Sequence, residues 1–200
     1  MKSMPQFILA SASPRRRAIL ENLGLTFEVL VSDASETHPE NTAPADIVRI
    51  LAERKAHFAA KMRPEGCIIA ADTMVLFEGR LLGKPKDRAE AFSMLKSLSG
   101  KCHTVLSGVC IEYGGKVYSG TAETEVFFRE LSDADIASYV DAGLSDCKAG
   151  GYGIQDLGAY FVREIRGDYY NVVGLPINLL TDLLCRAGCS ISQLISKGNA

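Results

Sequence analysis

The feature that most constrains the fold is an alternation of short apolar runs with helical segments in the first half of the chain. The runs have the length of buried strands and the segments between them carry helix signals, in the order 6–10, 14–23, 27–31, 44–62 and 67–71. Hairpin-like pairs follow, around Glu78-Gly79 and around Gly114-Gly115. Further helices are expected at 88–98, 133–142 and 176–187, and a further strand near 160–165. The pattern predicts an α/β fold in which helices flank a mixed, twisted sheet.

Length, charge and cysteine spacing exclude several classes of protein. The chain has 200 residues, which suits one α/β domain or two small lobes that share a cleft. A net charge of −2 leaves no broad basic surface for a nucleic acid polymer. No apolar stretch is long enough to cross a membrane, and the cysteines form no C-x-x-C pair. These properties predict a cytoplasmic protein with reduced thiols.

Three consecutive arginines lie in the first turn of the first predicted helix. Ser13 suits the N-cap and Pro14 the first helical position, so the start of the helix is well marked. The N-terminal end of a helix carries about half a positive charge, which disfavours Arg15, Arg16 and Arg17 at this place. The triplet therefore predicts a small anionic ligand at the helix start.

Asp72 directly follows the apolar run 67–71, and we expect it at the C-terminal end of that strand. Open α/β sheets place their ligands at this edge, which favours a functional carboxylate over one that only caps a turn with Thr73. Glu36 lies in the polar loop 32–42, where most carboxylates are simply solvated. If this loop faces the first helix, Glu36 and Asp72 would form an oxygen-rich site for Mg²⁺ or Mn²⁺.

A glycine-rich segment and two lysines complete the candidate residues. Gly150, Gly151 and Gly153 surround Tyr152, a side chain able to stack on a ring, and the segment ends at Gln155, whose amide is able to read a base edge. The alternative is a plain loop that leads into a strand. Lys84 in the Gly-Lys-Pro turn and Lys55 on the long helix are either ligand contacts or surface charges.

The motifs as a set resemble the Maf family of nucleoside triphosphate pyrophosphatases. They occur in the family's order over residues 7–184, as "LASASPRR", "ET", "LAERKA", "AADT", "GKP", "LSGKCHTV", "KAGGYGIQ" and "NVVGLP". The chain departs from the family's common "DKAGAYGIQG" at Cys147, Gly151 and Asp156, where the family has Asp, Ala and Gly.

The resemblance implies a single domain over residues 1–200 with a nucleotide-binding cleft. It implies a divalent-metal-dependent enzyme that hydrolyses a nucleoside triphosphate to the monophosphate and pyrophosphate. The "YGIQ" segment resembles the branch that acts on dTTP and UTP. The roles carried over are Asp72 as proton acceptor; Arg15, Thr73 and Gln155 in substrate choice; Ser11, Ser13, Arg16, Lys55 and Lys84 at the phosphates; and Glu36 with Asp72 at the metal.

Other functions stay open from the sequence. Because the family is also linked with septum formation, one is a non-catalytic nucleotide-binding regulator of cell division. Another is a nucleotidyltransferase, and a third is a pyrophosphatase for modified nucleotides or 7-methyl-GTP. The expected partner is the nucleotide, without a membrane or a nucleic acid polymer, and a homodimer is left open.

Overall fold

The computed structural model describes residues 5–35, 37–38, 41–190, 192 and 195. The strands are β1 Phe7–Leu9, β2 Phe27–Val29, β3 Cys67–Phe77, β4 Arg80–Leu82, β5 Cys102–Tyr113, β6 Lys116–Phe128 and β7 Val162–Arg166. The helices are α1 Pro14–Asn22, α2 Pro44–Met62, α3 Arg88–Leu98, α4 Asp133–Asp141, α5 Tyr169–Val173 and α6 Ile177–Arg186. Two short 3-10 helices span Ala149–Gly151 and Leu157–Phe161.

The described strands form one seven-stranded sheet in the order β2-β1-β3-β5-β6-β7, with β4 paired to β3. The strand β1 is parallel to both β2 and β3. Its fully buried Phe-Ile-Leu sequence follows from this position between two strands. The pairs β3–β4 and β6–β7 are antiparallel, and the β3–β4 hairpin turns at Glu78-Gly79 as predicted. The α/β fold with a mixed sheet and flanking helices is therefore confirmed.

Contacts between Cα atoms divide the chain into two compact units. Unit 1 comprises Met1–Asp72, Ser107–Ala122 and Gly174–Ala200. In its core the buried face of α2, which includes Ala52, Ala56 and Ala59, joins Ile8 and Ile68 of the sheet. A Cβ atom at Gly108 of β5 would lie 2.2 Å from the Val48 carbonyl oxygen, so only glycine permits this close contact between helix and strand.

Unit 2 comprises Thr73–Leu106 and Glu123–Val173. Here α3 packs against α4 and against the first 3-10 helix. A cluster of aromatic rings lies at its centre, formed by His103, Phe128, Tyr139, Tyr152 and Phe161, in which the pairs are edge-to-face except for the tilted pair Tyr139–Phe161. Edge-to-face ring pairs add about 0.5–1.5 kcal/mol each beyond the apolar area they bury. The segment from Ala149 to Phe161 is thus held by packing rather than by regular secondary structure.

The structure corrects several predicted boundaries. Asp72 does not end a strand, because β3 continues through it to Phe77. The last strand begins at Val162, since Tyr160 belongs to the second 3-10 helix. The five-residue helix α5 was not predicted, because it is too short to show a helical period. From the sequence we also expect the tail after Ser190 to fray, and this segment lies mostly outside the described residues. Among the described residues, no helix combines the length and apolar character required to span a membrane.

Candidate active site

The N-terminus of α1 lacks the side-chain cap that the sequence predicts. Ser13 occupies the N-cap position with extended backbone, but its hydroxyl makes no capping hydrogen bond within the described residues. The Ser11 hydroxyl lies just before it and accepts hydrogen bonds from the Ser13 N–H at 3.2 Å and from Arg16 at 3.1 Å. Ser11 therefore orders the loop between β1 and α1, while the helix keeps backbone N–H groups that its cap does not bind.

The three arginines of α1 are in different environments. Arg16 is buried, and its Nε donates a 2.8 Å hydrogen bond to the Gly174 carbonyl. Arg17 is exposed and pairs with Glu21 at 2.7 Å, one helical turn later. Arg15 is half-buried. The expectation that all three arginines face an anion is therefore wrong for Arg17, which makes an ordinary i,i+4 surface pair.

Asp72 and Lys55 form an ion pair in unit 1. The Lys55 Nζ lies 2.5 Å from Asp72 Oδ1, and the two side chains are only 14% and 10% exposed. Lys55 reaches the carboxylate from α2, which the Val48–Gly108 contact holds against β5. Of the two predictions for Lys55, surface charge or ligand contact, burial excludes the first. Lys55 contacts the candidate catalytic carboxylate itself.

The acidic loop between β2 and α2 is held by a residue that the sequence analysis missed. Arg54, on α2 beside Lys55, donates hydrogen bonds to the backbone carbonyls of Ser35 and Thr37. These carbonyls lie 19 and 17 residues before Arg54 in sequence, so no local pattern points to the contact. Glu36 stands between the two anchored residues but lies outside the described part of the chain.

Of the two carboxylates predicted to hold a metal ion, Asp72 lies in the described part of the chain. Among the described residues, no group of three or more His, Cys, Asp or Glu side chains is arranged to hold a metal ion. Asp72 supplies a buried carboxylate of the hard kind that Mg²⁺ and Mn²⁺ prefer. Because Mg²⁺ is commonly held by one or two carboxylates together with substrate phosphates, this donor chemistry fits such an ion.

In unit 2, the turn that carries Lys84 adjoins the glycine-rich segment. The Gly150 N–H donates a 3.0 Å hydrogen bond to the Gly83 carbonyl, which fixes the start of the Gly-Lys-Pro turn. The Lys84 side chain is exposed, and Thr73 on β3 is half-buried. Exposure keeps Lys84 available to a ligand, and it equally suits the alternative of a surface charge.

The clustered glycines make a sharp turn, as predicted, but Tyr152 does not serve as an open platform for a ring. Gly150 and Gly151 have φ angles of 68° and 77°, in the left-handed region. Tyr152 is 6% exposed, and its ring contacts Phe128 and His103 edge-on. The interpretation of Tyr152 as a stacking residue is corrected, because its ring completes the core of unit 2.

His103 forms a neutral buried pair with Tyr152. Its Nε2 lies 2.8 Å from the Tyr152 hydroxyl, and its Nδ1 has no hydrogen-bond partner among the described residues. Burial lowers the pKa of His103 from 6.5 to about 4, and burial likewise raises the pKa of the Tyr152 hydroxyl. Neither group is set to exchange protons near neutral pH.

Gln155 follows this core segment with an exposed side chain. Its Nε2 donates a 3.1 Å hydrogen bond to Oδ2 of Asp156. The same oxygen lies 3.0 Å from Lys148 Nζ, and the Lys148 side chain is only 12% exposed. Lys148 and Asp156 were not among the predicted site residues, because a pair eight positions apart has no recognisable local pattern.

A groove of about 580 Å³ along α2 in unit 1 is lined by Arg54 and Ser35, but among the described residues it includes none that the sequence predicts for the site. Its wall includes His57, which lies 3.5 Å from Glu112, and Phe58. The spacing of apolar residues along α2 predicts Phe58 in the buried stripe of this helix. The side chain is instead half-buried, and Ala59 occupies the buried position. We therefore place the candidate active site at the Asp72–Lys55 pair and not at the groove.

Comparison with known proteins identifies the class to which this fold and these residues belong. The family model described as Maf-like protein matches residues 6–187. A dTTP/UTP pyrophosphatase of Thermoanaerobacter sp. (strain X514) is 45% identical over 183 residues, 90% of this chain and 96% of that protein. The enzymes of the same name from Bacillus cytotoxicus and Desulforamulus reducens are 49% and 47% identical, over 87% and 94% of this chain and 91% and 100% of theirs. The chain belongs to the Maf-like protein family, which confirms the resemblance.

Proposed function

We propose that this chain hydrolyses dTTP and UTP to the nucleoside monophosphate and pyrophosphate. That it is a nucleoside triphosphate pyrophosphatase follows from the family and from the names of its relatives. The choice of base, the catalytic residues and the mechanism are the substance of the proposal.

The observation that carries the proposal is the buried ion pair between Lys55 and Asp72. In the proposed reaction Asp72 accepts the proton of the water that attacks the α-phosphorus, and pyrophosphate leaves. Lys55 fixes the carboxylate in place and offsets its charge while the anionic substrate is bound. A positioned general base of this kind contributes about 10²–10⁴-fold to the rate.

The phosphate chain is assigned to the start of α1. The backbone N–H groups at the α1 N-terminus and the half-buried Arg15 offer donors and positive charge to an anion. Arg16 orders this loop through Ser11 and adds a fixed positive charge. Lys84 is proposed as a further phosphate contact.

A divalent cation is proposed at Asp72 together with Glu36 and the substrate phosphates. When bound, such an ion supplies positive charge that offsets the phosphates and polarises the attacking water. The buried carboxylate oxygens of Asp72 have the chemistry that this ion requires.

The base is assigned to Gln155 and Thr73. The exposed Gln155 amide offers a C=O acceptor and an N–H donor side by side. Uracil and thymine present the matching N3–H donor and O4 acceptor. A purine presents a different edge, and such a mismatch leaves polar groups unpaired.

Incubation of the purified protein with Mg²⁺ and each nucleoside triphosphate tests the proposal. We expect stoichiometric pyrophosphate and monophosphate from dTTP and UTP, with purine triphosphates at least about tenfold lower in kcat/KM. Tight nucleotide binding without turnover would instead support a regulator. Pyrophosphate release only in the presence of a second acceptor would indicate a nucleotidyltransferase.

A further inference from the structure

We propose that Asp156 is a positioning residue, which holds the Gln155 side-chain amide in one orientation and so separates uracil and thymine from cytosine. The inference rests on the proposed function, in which Gln155 contacts the base. It explains how Gln155, whose side-chain amide is able to rotate, becomes selective for one pattern of donor and acceptor on the base.

The Asp156 carboxylate is itself fixed by contacts on both oxygens. Oδ2 accepts from Gln155 Nε2 at 3.1 Å and pairs with Lys148 Nζ at 3.0 Å. Oδ1 accepts from the Gly158 N–H at 3.1 Å and from the Tyr139 hydroxyl at 3.3 Å. A carboxylate has about four acceptor positions, so these four donors leave it little freedom to rotate.

The backbone at Gly153 lies so close to Gln155 and Asp156 that it leaves no space for a side chain. A Cβ atom at Gly153 would lie 2.8 Å from both Gln155 Nε2 and Asp156 Oδ2, and 2.9 Å from Lys148 Cε. The Gly153 N–H also donates to the Tyr139 hydroxyl, which in turn contacts Asp156. The glycine therefore lets the amide, the carboxylate and the ammonium meet over one short stretch of chain.

An ionised carboxylate only accepts hydrogen bonds, and this fixes the direction of the Gln155 amide. Rotation of the amide by 180° would bring its Oε1 against Asp156 Oδ2 and place two acceptors in contact. The amide nitrogen therefore stays on the Asp156 side. Oε1 and the second N–H remain for the base in a set order.

The order of donor and acceptor distinguishes the pyrimidines. Uracil and thymine offer N3–H as a donor beside O4 as an acceptor, whereas cytosine offers N3 as an acceptor beside an amino donor. A free amide would rotate to suit either edge. An amide held by Asp156 suits uracil and thymine, and cytosine must break the contact with the carboxylate.

The test measures kcat/KM for UTP and CTP in the wild-type protein and in Asp156→Ser. Serine keeps a hydroxyl for the Gly158 N–H, because it is also a favourable N-cap, but it cannot reach the Gln155 amide. We expect the UTP-to-CTP ratio to fall by about tenfold or more, in line with the loss of a hydrogen bond to a charged group. Asp156→Asn keeps the size of the side chain but has one acceptor oxygen instead of two. This oxygen faces either the Gln155 amide or the Gly158 N–H, so we expect a smaller fall in the UTP-to-CTP ratio.

Tyr139→Phe is the matched control. It removes the hydroxyl from Oδ1 and from the Gly153 N–H while the contact between Oδ2 and Gln155 stays. We expect it to lower thermal stability and to preserve the UTP-to-CTP ratio. An equal fall of the ratio in Tyr139→Phe would mean that loosening of the segment, and not release of the amide, controls selectivity.

A Gln155→Ala background completes the experiment. If Asp156 acts through Gln155, then Asp156→Ser in this background changes the ratio no further. A wild-type ratio retained in a folded Asp156→Ser protein overturns this inference alone, because UTP turnover in the same assay leaves the proposed function standing. A wild-type protein that releases no pyrophosphate from UTP overturns both.

Discussion

Two buried polar pairs in this molecule are built in opposite ways. In unit 1, Lys55 and Asp72 form an ion pair between side chains that are 14% and 10% exposed. In unit 2, His103 and Tyr152 form a hydrogen-bonded pair of similar burial that is neutral, because desolvation lowers the pKa of His103 to about 4. Each pair joins residues far apart in sequence, and only the first is an ion pair.

The difference bears on the proposed mechanism. Replacing a buried ion pair by well-packed apolar residues is often neutral or even stabilising, so such a pair is weak evidence of a stabilising role. A neutral pair such as His103 and Tyr152 satisfies the His103 Nε2 and the Tyr152 hydroxyl without burying a charge. The charge kept at Asp72 therefore agrees with a use in chemistry, whereas the unit 2 pair needs no use beyond packing.

The largest expected effect is that of Asp72→Asn. The amide keeps the shape of the carboxylate but cannot accept the proton, so kcat for UTP should fall about 10²–10⁴-fold. The change also removes the carboxylate charge that faces the Lys55 ammonium, and a fall in thermal stability is expected as well. Steady-state kinetics at saturating Mg²⁺, together with thermal unfolding, measure both effects.

Lys55→Met in the Asp72→Asn background separates the two effects. Methionine removes the ammonium that has lost the Asp72 charge, so this double variant should regain stability relative to Asp72→Asn and remain inactive. Turnover retained by Asp72→Asn at saturating metal would remove Asp72 from the role of general base. In that case the Lys55–Asp72 pair, like the His103–Tyr152 pair, would have no role in the chemistry.

The second prediction concerns the neutral pair and its pH dependence. The pKa of His103 is about 4 in the folded protein against 6.5 for a free side chain, so the unfolded chain binds the proton more readily. The stability present above pH 6.5 should therefore be lost as the pH falls towards 4, by up to about 3 kcal/mol from this residue. Urea unfolding at a series of pH values measures how the free energy of unfolding changes with pH. If the free energy of unfolding falls equally steeply with pH in His103→Gln, the loss of stability belongs to titratable groups other than His103.

The sequence predicts most of the fold because most elements carry their own signals. The helices α2 and α3 match their predicted bounds, since Pro44 begins one and Asp87 caps the other by accepting a hydrogen bond from the Glu90 N–H. The β3–β4 hairpin is marked by Glu78-Gly79, where both residues have positive φ. Local chemistry suffices at these places.

The errors arise where a distant partner decides the structure. Asp72 looks like the end of a strand because a lone carboxylate in an apolar run is costly, but Lys55, which lies 17 residues earlier, pairs with it inside β3. Tyr152 looks available for stacking because it lies among glycines, but Phe128 and His103 cover its ring. The Asp156 contacts with Lys148 and Tyr139 were missed for the same reason.

The N-termini of α1 and α4 show a similar contrast. The charged groups at α1 suit a ligand, and those at α4 suit the stability of the helix. The α1 end has arginines in its first turn and no acidic residue there. The α4 end has a capping box, in which Ser132 and Asp135 bind each other's backbone N–H groups, with Asp133 also in the first turn. The first arrangement is unfavourable for the helix alone, and the second is favourable.

Arg15→Ala tests the α1 end. If Arg15 binds the triphosphate, KM for UTP should rise about tenfold, which is the loss expected for one charge-assisted hydrogen bond. Thermal stability of the unliganded protein should be unchanged or slightly higher, because a cation leaves a positive helix end. A lower melting temperature with unchanged KM would mean that Arg15 serves the fold. Arg17→Ala is the matched control, since Arg17 pairs with Glu21, and KM should not change.

Ser132→Ala tests the α4 end and should have the smallest effect. The Ser132 hydroxyl accepts a hydrogen bond from the Asp135 N–H at 3.2 Å and donates one to the Asp135 carboxylate at 2.6 Å. The loss of an N-cap costs about 1 kcal/mol, so the melting temperature should fall by about 2–4 °C for a chain of this length. KM and kcat for UTP should stay at wild-type values, because the cap binds only its own helix. A rise in KM would show that the end of α4 also serves the ligand, and the contrast between the two helix starts would then be lost.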